Sequence, residues 1–224
     1  MAVPATVVYF TIYDQLRDRL CLRLNYTQVT QPPWIPMLAG GTARTIAATL
    51  ISPIELVRTK MQSQKLSYWQ VGRALKTSVQ TEGVISLWRG LGPTIMRDVP
   101  FSSLYWLFYE YFKARFNQRD PTFRFSFMAG AAAGTIAAVS TLPFDVVKTH
   151  RQIELGESEA TKAMTKKKDT FSLMKNIYRQ NGIPGLFSGI VPRVVKVAPA
   201  CAIMISTYEF GKAFFRQYNA ERNK

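Results

Sequence analysis

The sequence predicts an all-α protein that crosses a membrane several times. Three observations carry this: a charge-free run at 125–144, four further apolar runs spread in order along the chain, and basic segments between them. A helix needs about 20 apolar residues to cross a hydrocarbon core. One such run would also suit the core helix of a soluble protein, whereas five in order, separated by basic loops, argue for a polytopic membrane protein.

Taken in turn, residues 1–13 carry no charge and run up to Asp14. Residues 45–54 are bounded by Arg44 and Glu55, and residues 99–109 by Asp98 and Glu110. The run 125–144, "FSFMAGAAAGTIAAVSTLPF", is the fourth, and 197–208 is the fifth, ending before Glu209. The chain has 224 residues, is 47% hydrophobic and carries a formal net charge of +15, so an anionic partner is expected. Charge interleaved with membrane-length runs does not read as a nucleic-acid module, and Lys166, Lys167 and Lys168 read as a solvated loop beside anionic lipid. The start shows no basic leader or Arg-rich arm, so no cleavable presequence is expected.

Enzyme chemistry finds no footing. "GGTART" at 40–45 lacks the lysine and spacing of a phosphate-binding loop, and neither G-x-S-x-G nor H-E-x-x-H occurs. Cys21 and Cys201 lie in apolar segments and read as small hydrophobes, and His150 stands alone. No metal or other cofactor is expected.

Internal repetition organises the chain. "VPATVVYFTIYD" (3–14), "VPFSSLYWLFYE" (99–110) and "APACAIMISTYE" (198–209) each carry a proline followed by a Tyr-acid pair. Between them lie "SPIELVRTKMQ", with Pro53, Glu55, Arg58 and Gln62, and "LPFDVVKTHRQ", with Pro143, Asp145, Lys148 and Gln152. Both read P-x-[DE]-x-x-[KR]-x-x-x-Q. "EGVISLWRG" (82–90) pairs with "NGIPGLFSG" (181–189).

This order of motifs resembles the mitochondrial carrier family over nearly the whole chain. The resemblance implies a six-helix bundle of three two-helix repeats around a central cavity, with a short matrix-side helix in each repeat. It places transmembrane helices at 1–20, 34–63, 92–116, 122–152 and 190–216, with short helices near 68–81 and 170–180. The repeats fall at 1–25, 26–120 and 121–224. By this count the first odd helix and the first matrix loop are absent. The expectation follows that five of six transmembrane helices are present, and that the bundle is pinched on the intermembrane side and splayed toward the matrix. The basic segment 146–180 marks the matrix side.

The resemblance also implies roles. The pairs Asp14/Arg17, Glu110/Lys113 and Glu209/Lys212 fit the intermembrane-side gate, with Asp14–Lys113, Glu110–Lys212 and Glu209–Arg17 as the expected bonds. Glu55–Lys148 is the bond expected on the matrix side; Arg58 and Asp145 are expected to need the absent helix, and Gln62 and Gln152 brace that network. One such motif could be ordinary helix-end charge facing headgroups; three in register point to gates. Charges in a partly wetted, low-dielectric cavity are costly unless paired, so two rings that cannot form together make a bistable element.

The substrate level falls at Met1, Arg97 and Lys196, with Asp98 beside Arg97. The bases suit carboxylates and Asp98 suits an ammonium group, although Arg97 and Asp98 could instead pair with each other. Arg44 is a mid-membrane arginine, a functional candidate or a structural partner of Asp98. Arg89-Gly90 and Gly189 sit where the family binds cardiolipin at helix N-termini. "SPIELVRTKMQS", "LWRGLGPTIMRDVPFSSLYW" and "APACAIMISTYEFGKAFF" resemble the subgroup of glutathione carriers and manganese-trafficking relatives. That implies a monomeric carrier of glutathione, with another amino-acid-like solute, a metal-linked role or a non-transporting product as alternatives.

Overall fold

The computed structural model describes residues 2–27, 31–64, 69, 72–73, 76, 79–80, 83–88, 91–118, 121–147, 149 and 170–222. Five long helices form in chain order: α1 (Ala2–Arg23), α2 (Trp34–Gln64), α3 (Leu91–Arg115), α4 (Phe123–Ser140) and, after α5 (Thr170–Leu186), α6 (Ile190–Arg222). A 3-10 turn, Val84–Trp88, precedes α3. Among α1, α2, α3, α4 and α6, each packs mainly on the next, so the wall of the bundle follows the chain.

Small residues set the spacing of that wall. Ala39, Ala43 and Ala47 on α2, and Ala129, Ala133 and Ala137 on α4, recur every fourth residue and are buried. Such stripes let helix backbones approach where hydrocarbon supplies no hydrophobic drive between helices. The two stripes are in the register of Pro53 and Pro143. A Cβ on Gly40 would lie 2.4 Å from Trp106, and one on Gly130 would lie 2.4 Å from Ile205. Aromatic rings fill the space between α1 and α3: Tyr13 stacks on Trp106 at 3.8 Å, and Trp106 donates its indole N–H to Tyr9 at 2.7 Å.

The outside of this bundle is apolar, and charges are buried inside it beside the aromatic core. Met128, Val191, Val195 and Ile203 are all more than half exposed, while Arg17 and Glu110 are buried. Hydroxyls of Thr42, Thr45, Thr135 and Ser206 donate to carbonyls one turn earlier, so they ask nothing of lipid. By length and composition α4 and α6 can cross a membrane. The helices α2 and α3 carry Arg44, Arg97 and Asp98 within their lengths, the last two in the second turn of α3.

The helix ends follow local chemistry. Asn25 and Asn117 adopt positive φ after α1 and α3. Tyr26 then donates its N–H to the Cys21 carbonyl, and Gln118 to that of Lys113, the Schellman closure. Thr122 caps α4 by accepting from the Phe125 N–H.

One expectation fails here. A single helix over 122–152 does not form: α4 ends at Ser140, Thr141 makes a turn, and a short helical stretch covers 142–147. Pro143 has no N–H to continue the ladder. In α2 the equivalent Pro53 stays inside the helix. The carbonyl it would have bonded, that of Thr49, is taken instead by the Trp88 indole N–H at 2.8 Å.

Candidate functional site: a gate and a cavity

At one end of the bundle the six expected gate residues come together. Each follows the proline-bearing, apolar part of α1, α3 or α6, with base and acid three residues apart. Arg17 bonds Glu110 at 3.1 Å, Lys113 bonds Glu209 at 3.5 Å, and Lys212 bonds Asp14 at 3.0 Å.

The membership is as expected, but the partners are not. The expected bonds Asp14–Lys113, Glu110–Lys212 and Glu209–Arg17 do not form. Every base instead reaches the acid of the following repeat, with the third repeat closing on the first. The reason is geometric. Positions i and i+3 of a helix lie about 60° apart around its axis, on one face, so acid and base straddle the line toward the bundle axis and each leans to a different neighbour. Which neighbour takes which charge depends on the order of helices around the ring, and the motif does not encode that order.

Tyrosines reinforce the ring. The Tyr208 hydroxyl donates to Asp14 at 2.6 Å, and that of Tyr109 to Glu209 at 3.3 Å. Phe10 stacks on Tyr208 at 4.2 Å, joining α1 to α6. Gln31, before α2, folds back so that its side-chain carbonyl accepts from Arg17 Nε at 3.0 Å and from the Cys21 thiol at 3.3 Å. No motif marks Gln31, since it lies outside the repeated segments.

Toward the other end lies a cavity of about 630 Å³, lined by Arg44, Arg97, Asp98, Asp145, Arg193 and Lys196 among others. Four expected substrate residues therefore meet, from α2, α3 and α6. Asp98 accepts from Arg44 at 3.2 Å and from Arg97 at 2.5 Å, so both expected structural pairings are present. An ammonium group would have to share a carboxylate already held by two guanidinium groups. Arg44 also lies over the Tyr9 ring, 5.3 Å from its centre. Lys196 is exposed to the cavity and pairs with no carboxylate among the described residues. Met1 lies outside the described residues.

The matrix-side motif is only partly visible. Glu55, Arg58 and Gln62 lie on α2, but their side chains are outside the described set, as are Lys148 and Gln152 altogether. Asp145 corrects an expectation. It has a partner without the first odd helix: Arg193 of α6 pairs with it and also donates to Thr141 Oγ1 at 2.8 Å. Arg193 was not expected. The signal available was a departure from the repeat, because Thr94 occupies its place in the preceding one.

Arg89 and Gly90 are also outside the described residues, whereas Gly189 immediately precedes α6 with φ +82°. Among the described residues no group of three His, Cys, Asp or Glu is placed to hold a metal ion.

The family description "Mitochondrial carrier protein" matches residues 29–120 and 119–219. The chain is 57% identical to the mitochondrial glutathione transporter SLC25A39 of Danio rerio, over 98% of this chain and 62% of the relative. It is 52% identical to the mitochondrial glutathione transporter SLC25A40 of Homo sapiens, over 100% of this chain and 67% of the relative. It is 46% identical to the solute carrier family 25 protein Shawn of Drosophila melanogaster, over 99% of this chain and 61% of the relative. The chain thus spans less than two thirds of the length of the zebrafish and fly relatives.

Proposed function

The chain belongs to the mitochondrial carrier family, a family of multi-pass inner-membrane proteins and not of enzymes, and from that premise we propose that it carries glutathione by alternating access. The observation that supports this most is the charge of the cavity. Arg44, Arg97 and Lys196 face one acid, Asp98, and the Arg193–Asp145 pair adds no net charge. The wall is therefore cationic and suits a solute with two carboxylates and one ammonium. Lys196 and Arg97 take the carboxylates, Arg97 with a planar, two-pronged geometry. Asp98 takes the ammonium as Arg97 turns away to its carboxylate. The names of the relatives support the same substrate.

The three cross-helix pairs at the end assigned to the intermembrane side support reading this conformation as the one open toward the matrix. Substrate would cross as that ring opens and the matrix-side ring forms, with contacts strongest between the two states. Cardiolipin is proposed at Gly90 and Gly189, supported by the start of α6 directly after Gly189. The carrier is proposed to act as a monomer.

The test is uptake of labelled glutathione by proteoliposomes containing the intact protein. Lys196→Ala and Arg97→Ala should each lower uptake at least tenfold, the loss of a charge-assisted contact of about 1.5–3 kcal/mol. Because Lys196 has no carboxylate partner among the described residues, its removal should leave thermal stability unchanged. Parental uptake by both variants would overturn the assignment. Competition by single amino acids at the concentration effective for glutathione would redirect it to an amino-acid carrier.

A further inference from the structure

Arg193 belongs to none of the repeated motifs, yet it is one of the most enclosed charges on the cavity wall. Its side chain is 12% exposed, on the first turn of α6, one turn before Lys196 on the same face. It is engaged on one side only. Its guanidinium forms an ion pair with Asp145 and donates from Nη2 to Thr141, while Nε and Nη1 are buried without a hydrogen-bond partner among the described residues. Asp145 Oδ1 is likewise buried and unbonded. A guanidinium has five N–H donors in a flat fork, and a carboxylate can accept two of them side by side. The pair is therefore incomplete, and it borders the same space as Arg97, Asp98 and Lys196.

We propose that Arg193 is a switch residue: Asp145 occupies it in the empty cavity, and an anionic group of the substrate displaces Asp145 from it. This rests on the carrier reading above and names a second anion contact within the same site. A carboxylate held at Lys196 has Arg193 one helical turn away. Two carboxylates on one guanidinium repel each other, and the displaced acid, partly enclosed, must find another cation. Asp145 sits in the P-x-acid motif at the cavity's matrix end, so its release supplies an acid for closure there. Without substrate Arg193 keeps that acid on the wall and the end stays open. Substrate replaces one ion pair with another, so the exchange has little net cost, and closing is tied to occupancy.

The experiment places a reporter cysteine at Thr149, exposed on the cavity wall beyond Asp145, in the intact protein in proteoliposomes. The native Cys21 and Cys201 are buried. In the empty parent the reporter should react with an impermeant maleimide applied from the matrix-equivalent side, and saturating glutathione should slow labelling about fivefold or more. Arg193→Gln should be slow to label without any glutathione, and Arg193→Lys should behave as the parent. Asp145→Asn removes the competitor, so its KM for glutathione should fall several-fold while kcat also falls.

Empty Arg193→Gln labelling like the parent overturns the switch. If that variant does not fold, the Asp145→Asn kinetics decide, and an unchanged or raised KM overturns it. A parent insensitive to glutathione, with Arg193→Gln closed when empty, would sink the substrate and keep the switch. A parent protected by glutathione, with Arg193→Gln still open, would do the reverse.

Discussion

The two ends of the bundle hold their charges in different ways. At the gate, each ion pair joins two of α1, α3 and α6, helices separated along the wall by α2 or α4 or facing each other across its ends. At the cavity, pairs run along the wall instead. Arg97 and Asp98 are chain neighbours, Arg44 reaches Asp98 from the adjoining α2, and Arg193 reaches Asp145 from the packed α4–α6 pair. The same residue types thus join helices across one end and line a cavity toward the other. What differs is whether a charge finds its partner across the axis or beside itself.

The gate should be breakable at its most buried bond. Arg17→Gln leaves Glu110 without its cross-helix partner, where both side chains are under a tenth exposed. Lys113, 3.5 Å away on the same helix, still faces Glu110, so the loss should lie toward the low end of the about 3–5 kcal/mol that breaking a buried pair costs, read as a drop in melting temperature. Charge reversal sharpens the comparison. Arg17→Glu should be rescued in part by Glu110→Arg and not by Glu209→Arg, as judged by melting temperature; rescue by the second would show that the ring runs the other way.

The wall itself is the next test. Gly130→Val puts methyl groups against Ile205 Cγ2 and the Cys201 carbonyl at the α4–α6 seam. Overpacking of this kind costs about 1–3 kcal/mol in thermal unfolding. A neutral result would mean that the small-residue stripe does not set the spacing. The smallest effect should come from Lys212→Gln. Its bond to Asp14 is about a third exposed on each side, so about 0–1 kcal/mol is at stake. A loss as large as that of Arg17→Gln would show that the three pairs act as one unit.

Much of this was legible in the sequence because it is written more than once. The long helices follow from motifs repeated in register, and the gate residues follow because three Tyr-acid-base sets cannot be coincidental surface charge. The direction of the ring was illegible, since it depends on how helices are ordered in space. Gln31 and Arg193 were missed for the opposite reason: they occur in one copy only, and reasoning from repeats passes over singular residues. The break after Ser140 was missed because Pro53 and Pro143 look alike in sequence, while their surroundings do not.

That last difference has a mechanical consequence. In the second repeat the carbonyl left open by Pro53 is tied by Trp88 to the segment leading into α3. Phe187 holds the corresponding place in the third repeat and has no side-chain N–H to offer. A swing of α2 about Pro53 must therefore drag the segment before α3 along or break that bond, whereas the stretch beyond Pro143 is tied to α6 instead, by Arg193 pairing with Asp145 and donating to Thr141. The two joints are geared to different helices, so the two halves of the wall cannot move as mirror copies.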